Sequence, residues 1–177
     1  MNRPPLWFER KFDFTFPVEQ YPNLCVRLRG TPARLEEIVR HVDRDVLVRK
    51  LVGKPGESEK WSAQEHAGHL LDLEPLWLAR VDDYLAEAPQ LTVADLSNRK
   101  TFDAQHNLHP IGEILAQFRS ARSRLLNRVE KIDAAIFARA IPHPRLKTPM
   151  RLVDHLYFVA EHDDHHLAHI LERINPG

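Results

Sequence analysis

Cysteine and long apolar runs are both nearly absent from this chain. Cys25 is the only cysteine among 177 residues, so no disulfide can form within the chain. This is typical of a reducing compartment, and we expect a cytoplasmic protein. No apolar run reaches the ~18 residues that a membrane span needs, and the first residues lack the apolar core of a secretory signal. We therefore expect no membrane partner, and Cys25, which has no evident base partner, is not expected to be a nucleophile.

The chain also lacks an excess of either charge. Lysine and arginine together number 25, as do aspartate and glutamate, so the formal net charge is zero with histidine neutral. A protein that binds nucleic acid collects phosphates with a basic surface, so we expect no nucleic-acid partner. Apolar residues at 43% and charged residues at 28% are ordinary for a globular protein. We expect residues 1–177 to form a single domain.

Apolar residues recur at helical spacing in four stretches, which predicts four long amphipathic helices. Thr31-Pro32 favours the start of the first helix, because threonine is a good N-cap and proline suits the first turn. Gly53 to Gly56 should then break the chain. Ser62 and Glu65 form a capping box at the start of the second helix, in which Pro75 should introduce a kink.

Two further helices follow a long connection. Residues 88–109 are mostly polar around their middle, and a connection of this length in a compact protein is often functional. The third helix is expected to begin at Pro110, and Thr148-Pro149 predicts the start of a last helix that runs to about Ile174. In residues 1–24, phenylalanines alternate with polar residues, which predicts an extended N-terminal arm. The sequence therefore predicts an all-α four-helix bundle with an extended N-terminal segment.

Histidine is what the chain has in excess. Eleven are present, and four of them fall within residues 162–169. At about 100° per residue, His155, His162, His166 and His169 lie within roughly 60° of one another, at the margin of the apolar face of the last helix. His162 and His166 are four residues apart, so their β-carbons should lie ~5–6 Å from each other. Two imidazoles at this spacing can bind one metal ion, as in other HxxxH helices.

A third ligand must come from another helix. His66 and His69 of the second helix are the candidates, and spacing slightly favours His66 because it aligns with the apolar residues Leu70, Leu73 and Trp77. The pattern of residues leaves this choice open. It also leaves open a cluster that binds no metal and instead forms a solvated polar face with pH-sensitive contacts.

Other polar residues near these histidines are candidates for supporting roles. Asp163 falls inside the apolar stripe of the last helix, where a carboxylate is costly unless it is paired. It could orient a ligating imidazole through a hydrogen bond, or pair with an arginine of another helix, and both roles stay open. Asp164 points the other way and should be solvated. The long connection supplies further residues that could close over the site, namely Asn98, Thr101 and His109.

Two segments resemble the DinB-like superfamily of small bacterial metal-binding bundles. The first reads WSAQEHAGHL from Trp61, and in the family a metal histidine comes eight residues after this tryptophan, which is the position of His69. The second reads HDDHHLAHI from His162 and is similar to the last helix of the family, whose HxxxH ligands correspond to His162 and His166. The order of the helices, with a long connection after the second, also matches. The resemblance covers roughly residues 31–174.

The resemblance implies an up-down-down-up bundle that binds one nickel or zinc ion through His69, His162 and His166. It also implies a homodimer, which is frequent in the family. Some relatives are metal-dependent transferases or isomerases that use low-molecular-weight thiols. The family name refers to damage induction and implies no binding to DNA.

A metal ion held by three neutral imidazoles keeps its full charge and at least one open position. A thiol bound there would lose its proton and become a nucleophile, and a bound water could reach a pKa of ~7. We expect a small-molecule substrate and favour thiol S-transfer, with a hydrolase or a purely structural metal as alternatives. A fourth ligand from His165, His66 or Asp163 would indicate a structural site.

Two other metal sites are disfavoured. A metalloprotease of the HExxH kind needs a glutamate where this chain has Asp163. A di-iron bundle needs Glu-x-x-His pairs on two helices, which the sequence lacks.

Overall fold

Four long helices form the body of the protein in the computed structural model, which describes residues 6–51 and 60–175. In chain order the helices are α1 (Tyr21–Val39), α2 (Arg44–Val48), α3 (Ala63–Leu85), α4 (Arg99–Asp103), α5 (Ile111–Val129) and α6 (Leu152–Ile174). The strands β1 (Ala140–Pro142) and β2 (Pro149–Arg151) pair as a small antiparallel hairpin before α6. Among the described residues, no helix is both long and apolar enough to cross a membrane. The predicted chain break at Gly53 to Gly56 lies outside the described residues.

Two clusters of core residues show the directions of the four long helices. The first joins the beginnings of α1 and α6 to the ends of α3 and α5, through Leu24, Leu28, Trp77, Tyr84, Leu126, Val129, Leu156 and Val159. The second joins the opposite halves of the same helices, through Leu35, Val39, Ala63, Ala67, Ile114, Phe118, Leu167 and Ile170. Helices α1 and α6 therefore run one way and α3 and α5 the other. The predicted up-down-down-up four-helix bundle is confirmed.

A buried polar layer separates the two core clusters. Arg122 of α5 donates to Glu74 Oε1 of α3 (2.6 Å) and to Asp163 Oδ2 of α6 (2.6 Å). The hydroxyl of Thr31 in α1 also donates to Asp163 Oδ2 (2.7 Å). Of the two roles left open for Asp163, the structure shows the pairing with an arginine. This layer links all four long helices through side-chain hydrogen bonds. It therefore favours one position of α6 along the axis of the bundle.

The predicted start of the first helix at Thr31-Pro32 is wrong. Helix α1 begins at Tyr21, so Pro32 lies inside it, and the described part of the arm (residues 6–20) is irregular apart from two 3-10 turns. A proline has no N–H for the carbonyl four residues before it, which here belongs to Leu28. Arg122 Nη1 donates to that oxygen instead (3.1 Å). The long-range arginine therefore satisfies the carbonyl that makes a proline costly within a helix.

The predicted start of the last helix at Thr148-Pro149 is also wrong. Residues Pro149–Arg151 form β2, and α6 begins at Leu152, where the carboxylate of Asp154 accepts the amide of Arg151 (2.8 Å). Its predicted end at Ile174 is confirmed.

The predicted starts of the two middle helices are correct. The Ser62–Glu65 capping box is present at the start of α3, which continues through Pro75, and Pro110 precedes α5. Helices α3 and α5 are parallel neighbours, so the connection between them must return along the bundle. This return brings α4 and the 3-10 turn His106–Leu108 against the first half of α3.

Candidate metal centre

Three buried histidines converge between the first half of α3 and the second half of α6. They are His69 of α3 and His162 and His166 of α6, and each is at most 6% exposed. One ring nitrogen from each lies within 4.8 Å of the other two. His162 Nε2 and His166 Nε2 are 3.2 Å apart. The structure thus brings together the three histidines that the resemblance implies as ligands, in an arrangement that could hold a metal ion.

Burial keeps these three imidazoles neutral. It lowers the pKa of His69 to about 4. Burial, and after it the neighbouring histidines, also holds the pKa of His162 and of His166 well below the ordinary value. A neutral imidazole offers a lone pair to a metal, whereas a protonated imidazole does not. At neutral pH the three rings are therefore in the state that a metal ligand requires.

The hydrogen bonds of the rings also fit a bound divalent ion. His69 Nδ1 lies 3.0 Å from Thr101 Oγ1, which leaves Nε2 free to face the other two rings. His166 Nδ1 lies 2.9 Å from His66 Nδ1, so its Nε2 likewise faces the cluster. His162 Nδ1 has no hydrogen-bond partner among the described residues. If each Nδ1 carries the proton, the lone pairs of the Nε2 atoms converge, and a cation between them relieves their repulsion.

A second group of residues holds His69 in place. Thr101 Oγ1, which contacts His69, also hydrogen-bonds to the carboxylate of Asp72, and Asp72 Oδ2 lies 2.7 Å from His106 Nε2. Burial raises the pKa of Asp72, but the bonds from His106 and Thr101 outweigh burial and keep the pKa below its usual value. The carboxylate therefore stays ionised and anchors both residues. Such outer contacts orient a ligating imidazole.

His66, which the spacing slightly favoured as the third ligand, lies behind His166 rather than in the group of three. Its Nδ1 faces His166 Nδ1, and its Nε2 has no partner among the described residues. The ring of His66 stacks on that of His169 with an interplanar angle of 7°. His155 is fully buried elsewhere, with Nε2 3.4 Å from the carbonyl of Trp77. Of the four histidines that share a face of α6, only two therefore reach the group.

The long connection supplies only part of what the sequence suggested. Thr101 contacts His69, and Asn98 lines the cavity beside the histidines. His109 is exposed, and its backbone carbonyl accepts from Gln64 Nε2 (2.8 Å). Asp164, expected to be solvated, forms ion pairs with Arg27 and Arg34.

A cavity of about 320 Å³ opens beside the three histidines. Its walls are largely aromatic, from Trp7, Trp61, Trp77 and Phe158. Its lining also includes Arg80, His143 and Arg145, which the sequence reasoning missed. Arg80 could have been found from the sequence, because it lies three residues after Trp77 on the buried face of α3. A charged residue on a buried face is the same signal that singled out Asp163 on α6. His143 and Arg145 gave no signal, because they lie between β1 and β2 and reach the cavity only through the fold.

Comparison with known proteins agrees with the overall fold. A family model of the DinB superfamily matches residues 27–170. YfiT from Bacillus subtilis, described as a probable metal-dependent hydrolase with an unusual four-helix bundle topology, is 22% identical with a TM-score of 0.76, covering 93% of this chain and 91% of YfiT. A mycothiol-dependent maleylpyruvate isomerase is 9% identical with a TM-score of 0.64, covering 90% of this chain and 68% of the isomerase. No curated protein matches. At these identities the two structures show a shared fold.

Proposed function

This chain belongs to the DinB superfamily, and from that premise we propose that it binds one divalent metal ion through His69, His162 and His166 and acts there on a small molecule. The observation that carries the proposal is the convergence of three neutral, buried imidazoles at the wall of a cavity. A purely structural metal would need no cavity beside it, so the cavity favours a role in binding a small molecule.

We propose nickel or zinc as the ion, because both accept imidazole nitrogen as a ligand. Within the described part of the chain no fourth ligand joins the three histidines, which supports a catalytic site. Asp163 is engaged by Arg122, and His66 faces the far side of His166. Among the described residues, the group that could hold the ion has three members, so one position stays open.

Thiol S-transfer is the reaction we favour. A bound divalent ion supplies a nucleophile at neutral pH by lowering the pKa of a thiol or of a water molecule. The protein's own part is to hold the imidazoles through Thr101 and Asp72, and to exclude water with Trp61 and Trp77 at the cavity wall. The fold shared with a mycothiol-dependent isomerase supports a low-molecular-weight thiol as co-substrate.

Hydrolysis is the alternative reaction. The fold shared with YfiT, which is described as a probable metal-dependent hydrolase, supports it. The same open position would then serve a water molecule, and the aromatic cavity would hold the group to be cleaved.

Cobalt(II) substitution distinguishes these two reactions. Cobalt replaces zinc in such sites and reports a bound thiolate through a sulfur-to-metal charge-transfer absorption. We expect cysteine and glutathione to produce this absorption saturably in the wild-type protein and not in His166→Ala. Cobalt binding without any thiol band, together with turnover of simple esters, would favour the hydrolase and reject the transferase.

The remaining proposals concern the whole molecule. We propose a cytoplasmic homodimer in which residues 1–177 form one domain. Light scattering of the purified protein measures the oligomeric state directly, and a monomer at micromolar concentration would contradict this part.

A further inference from the structure

Two arginines line the cavity and have no carboxylate partner in the part of the chain that the structure describes. Arg80 is 2% exposed; its Nε donates to the carbonyl of Thr92 (2.9 Å), and its guanidinium lies over the ring of Trp77. Arg145 packs against Phe158, and its Nη2 is buried with no hydrogen-bond partner among the described residues. Neither arginine forms an ion pair with any described residue.

The carboxylate that the described residues place at the cavity wall is already engaged. Asp95 is exposed, and its Oδ1 accepts from the hydroxyl of Ser97 (2.6 Å) while its Oδ2 accepts from the amide of Arg99 (3.0 Å). It therefore does not neutralise the two arginines.

His143 adds a third donor beside Arg80. Its Nδ1 accepts from the backbone amides of Arg145 (3.2 Å) and Leu146 (3.1 Å). The ring is neutral, since burial and the two arginines lower its pKa to about 3, so its single proton lies on Nε2. That nitrogen is 3.2 Å from Arg80 Nη1. Two donors this close repel each other unless both N–H groups point to one acceptor that lies beside them.

The two arginines carry positive charge into a largely apolar cavity. Burial lowers the pKa of Arg80 to about 10, so its guanidinium remains charged at neutral pH. A buried charge without a partner is unfavourable, and an anion would remove that cost. Guanidinium groups bind carboxylate and phosphate with paired hydrogen bonds.

We propose that Arg80, Arg145 and His143 form an anion-binding subsite for the carboxylate or phosphate of the small molecule that this protein acts on. From His69 to Arg80 the axis of α3 rises about 16 Å, and side chains lean towards the start of a helix, so Arg80 reaches back towards the histidines. The apolar body of the ligand lies against Trp77 and Phe158, between the two ends of the cavity. The subsite defines the substrate as an anion with an apolar body, and in this respect the inference rests on the proposed function.

Isothermal titration with three probes tests the subsite. The probes are 3-phenylpropionate, phenethyl phosphate and the neutral 3-phenylpropionamide, each titrated into protein with and without added zinc. We expect at least one anion to bind tenfold or more tightly than the amide, in both metal states. The anion that binds more tightly relative to the amide shows whether the subsite takes carboxylate or phosphate.

Two substitutions and one control complete the test. Arg145→Met keeps the apolar stem at a half-buried position and should abolish the preference for the anion. Arg80→Met should do the same, provided that circular dichroism shows that this variant is folded. Arg124→Met, at an exposed position of α5, should keep the preference. A preference that appears only with zinc would mean that the anion binds the metal, and a preference that survives Arg145→Met would mean that this arginine does not bind the anion. Either result would overturn the subsite. Measuring zinc content in each variant separates this result from a failure of the metal centre.

Discussion

The imidazole of His106 lies directly against Gly68, so close that a β-carbon on Gly68 would come within 2.2 Å of the ring. This approach lets His106 Nε2 reach the carboxylate of Asp72 (2.7 Å), which also bonds to Thr101 beside His69. The glycine is therefore what allows the connection between α3 and α5 to dock beside a candidate ligand.

Gly68→Ala should destabilise the protein, although alanine is normally the better helix residue by ~1 kcal/mol. The new methyl group must displace the His106 ring, and we expect the free energy of unfolding to fall by roughly 1–3 kcal/mol. Gly30→Ala in α1 is the control, since nothing lies within 4 Å of a β-carbon there, and it should leave stability unchanged or raise it by up to about 1 kcal/mol. Urea denaturation measures both, and a stabilising Gly68→Ala would refute the constraint.

Thr101→Val should weaken metal binding while leaving the fold intact. Valine has the same shape but removes the hydroxyl that His69 Nδ1 contacts at 3.0 Å. Loss of such an outer contact typically lowers metal affinity about 10–100-fold. Competition for zinc with a chromogenic chelator gives the dissociation constant, and Thr101→Ser should restore it. Equal affinities for wild type and the valine variant would show that Thr101 does not position His69.

Arg122→Met should cost far more stability than removal of an exposed arginine. It leaves Asp163 and Glu74 buried without their partner, and we expect a loss of roughly 3–5 kcal/mol in the free energy of unfolding. Arg128→Met on the same helix breaks an exposed pair with Asp82 and should cost at most about 1 kcal/mol. Similar losses in the two variants, measured by urea unfolding, would contradict a stabilising polar layer.

Cys25 should react slowly with alkylating reagents at neutral pH. Burial, with a smaller effect from Glu130, raises the pKa of its thiol to about 11, and only the thiolate is nucleophilic. Because the pKa is raised, the thiolate fraction at pH 7 falls on the order of a hundredfold below that of an ordinary cysteine. The rate of iodoacetamide labelling, followed by mass spectrometry, should increase with pH up to about 11. Fast labelling at pH 7 would instead mark an activated thiol.

The parts of the fold that depend on residues close together in the sequence could be predicted from the sequence alone. The capping box of Ser62 and Glu65 is such a signal, and it correctly marks the start of α3. Thr31-Pro32 looks equally like a helix start, yet α1 continues through Pro32. Arg122 satisfies the carbonyl that Pro32 leaves free within the helix. That contact joins distant parts of the chain, so no local pattern reveals it.

The candidate site divides in the same way. His162 and His166 share a face of one helix by spacing alone, whereas the choice between His66 and His69 depends on the rotation of α3. The first two turns of α3 are buried on almost every side, so both histidines are buried and an apolar stripe cannot rank them. Arg80 and Arg145 line the same cavity only because the hairpin before α6 packs near the end of α3, where the hydroxyl of Tyr84 donates to the carbonyl of Met150.

The central claim is a metal centre with three histidine ligands and an open position. Elemental analysis of the purified untagged protein, combined with X-ray absorption, tests it directly, with His165→Ala as the control for His166→Ala. We predict one nickel or zinc ion per chain, bound by three imidazoles and one or two light-atom ligands, kept in His165→Ala and lost in His166→Ala. No metal even after reconstitution, or a full equivalent in His166→Ala, would contradict the claim.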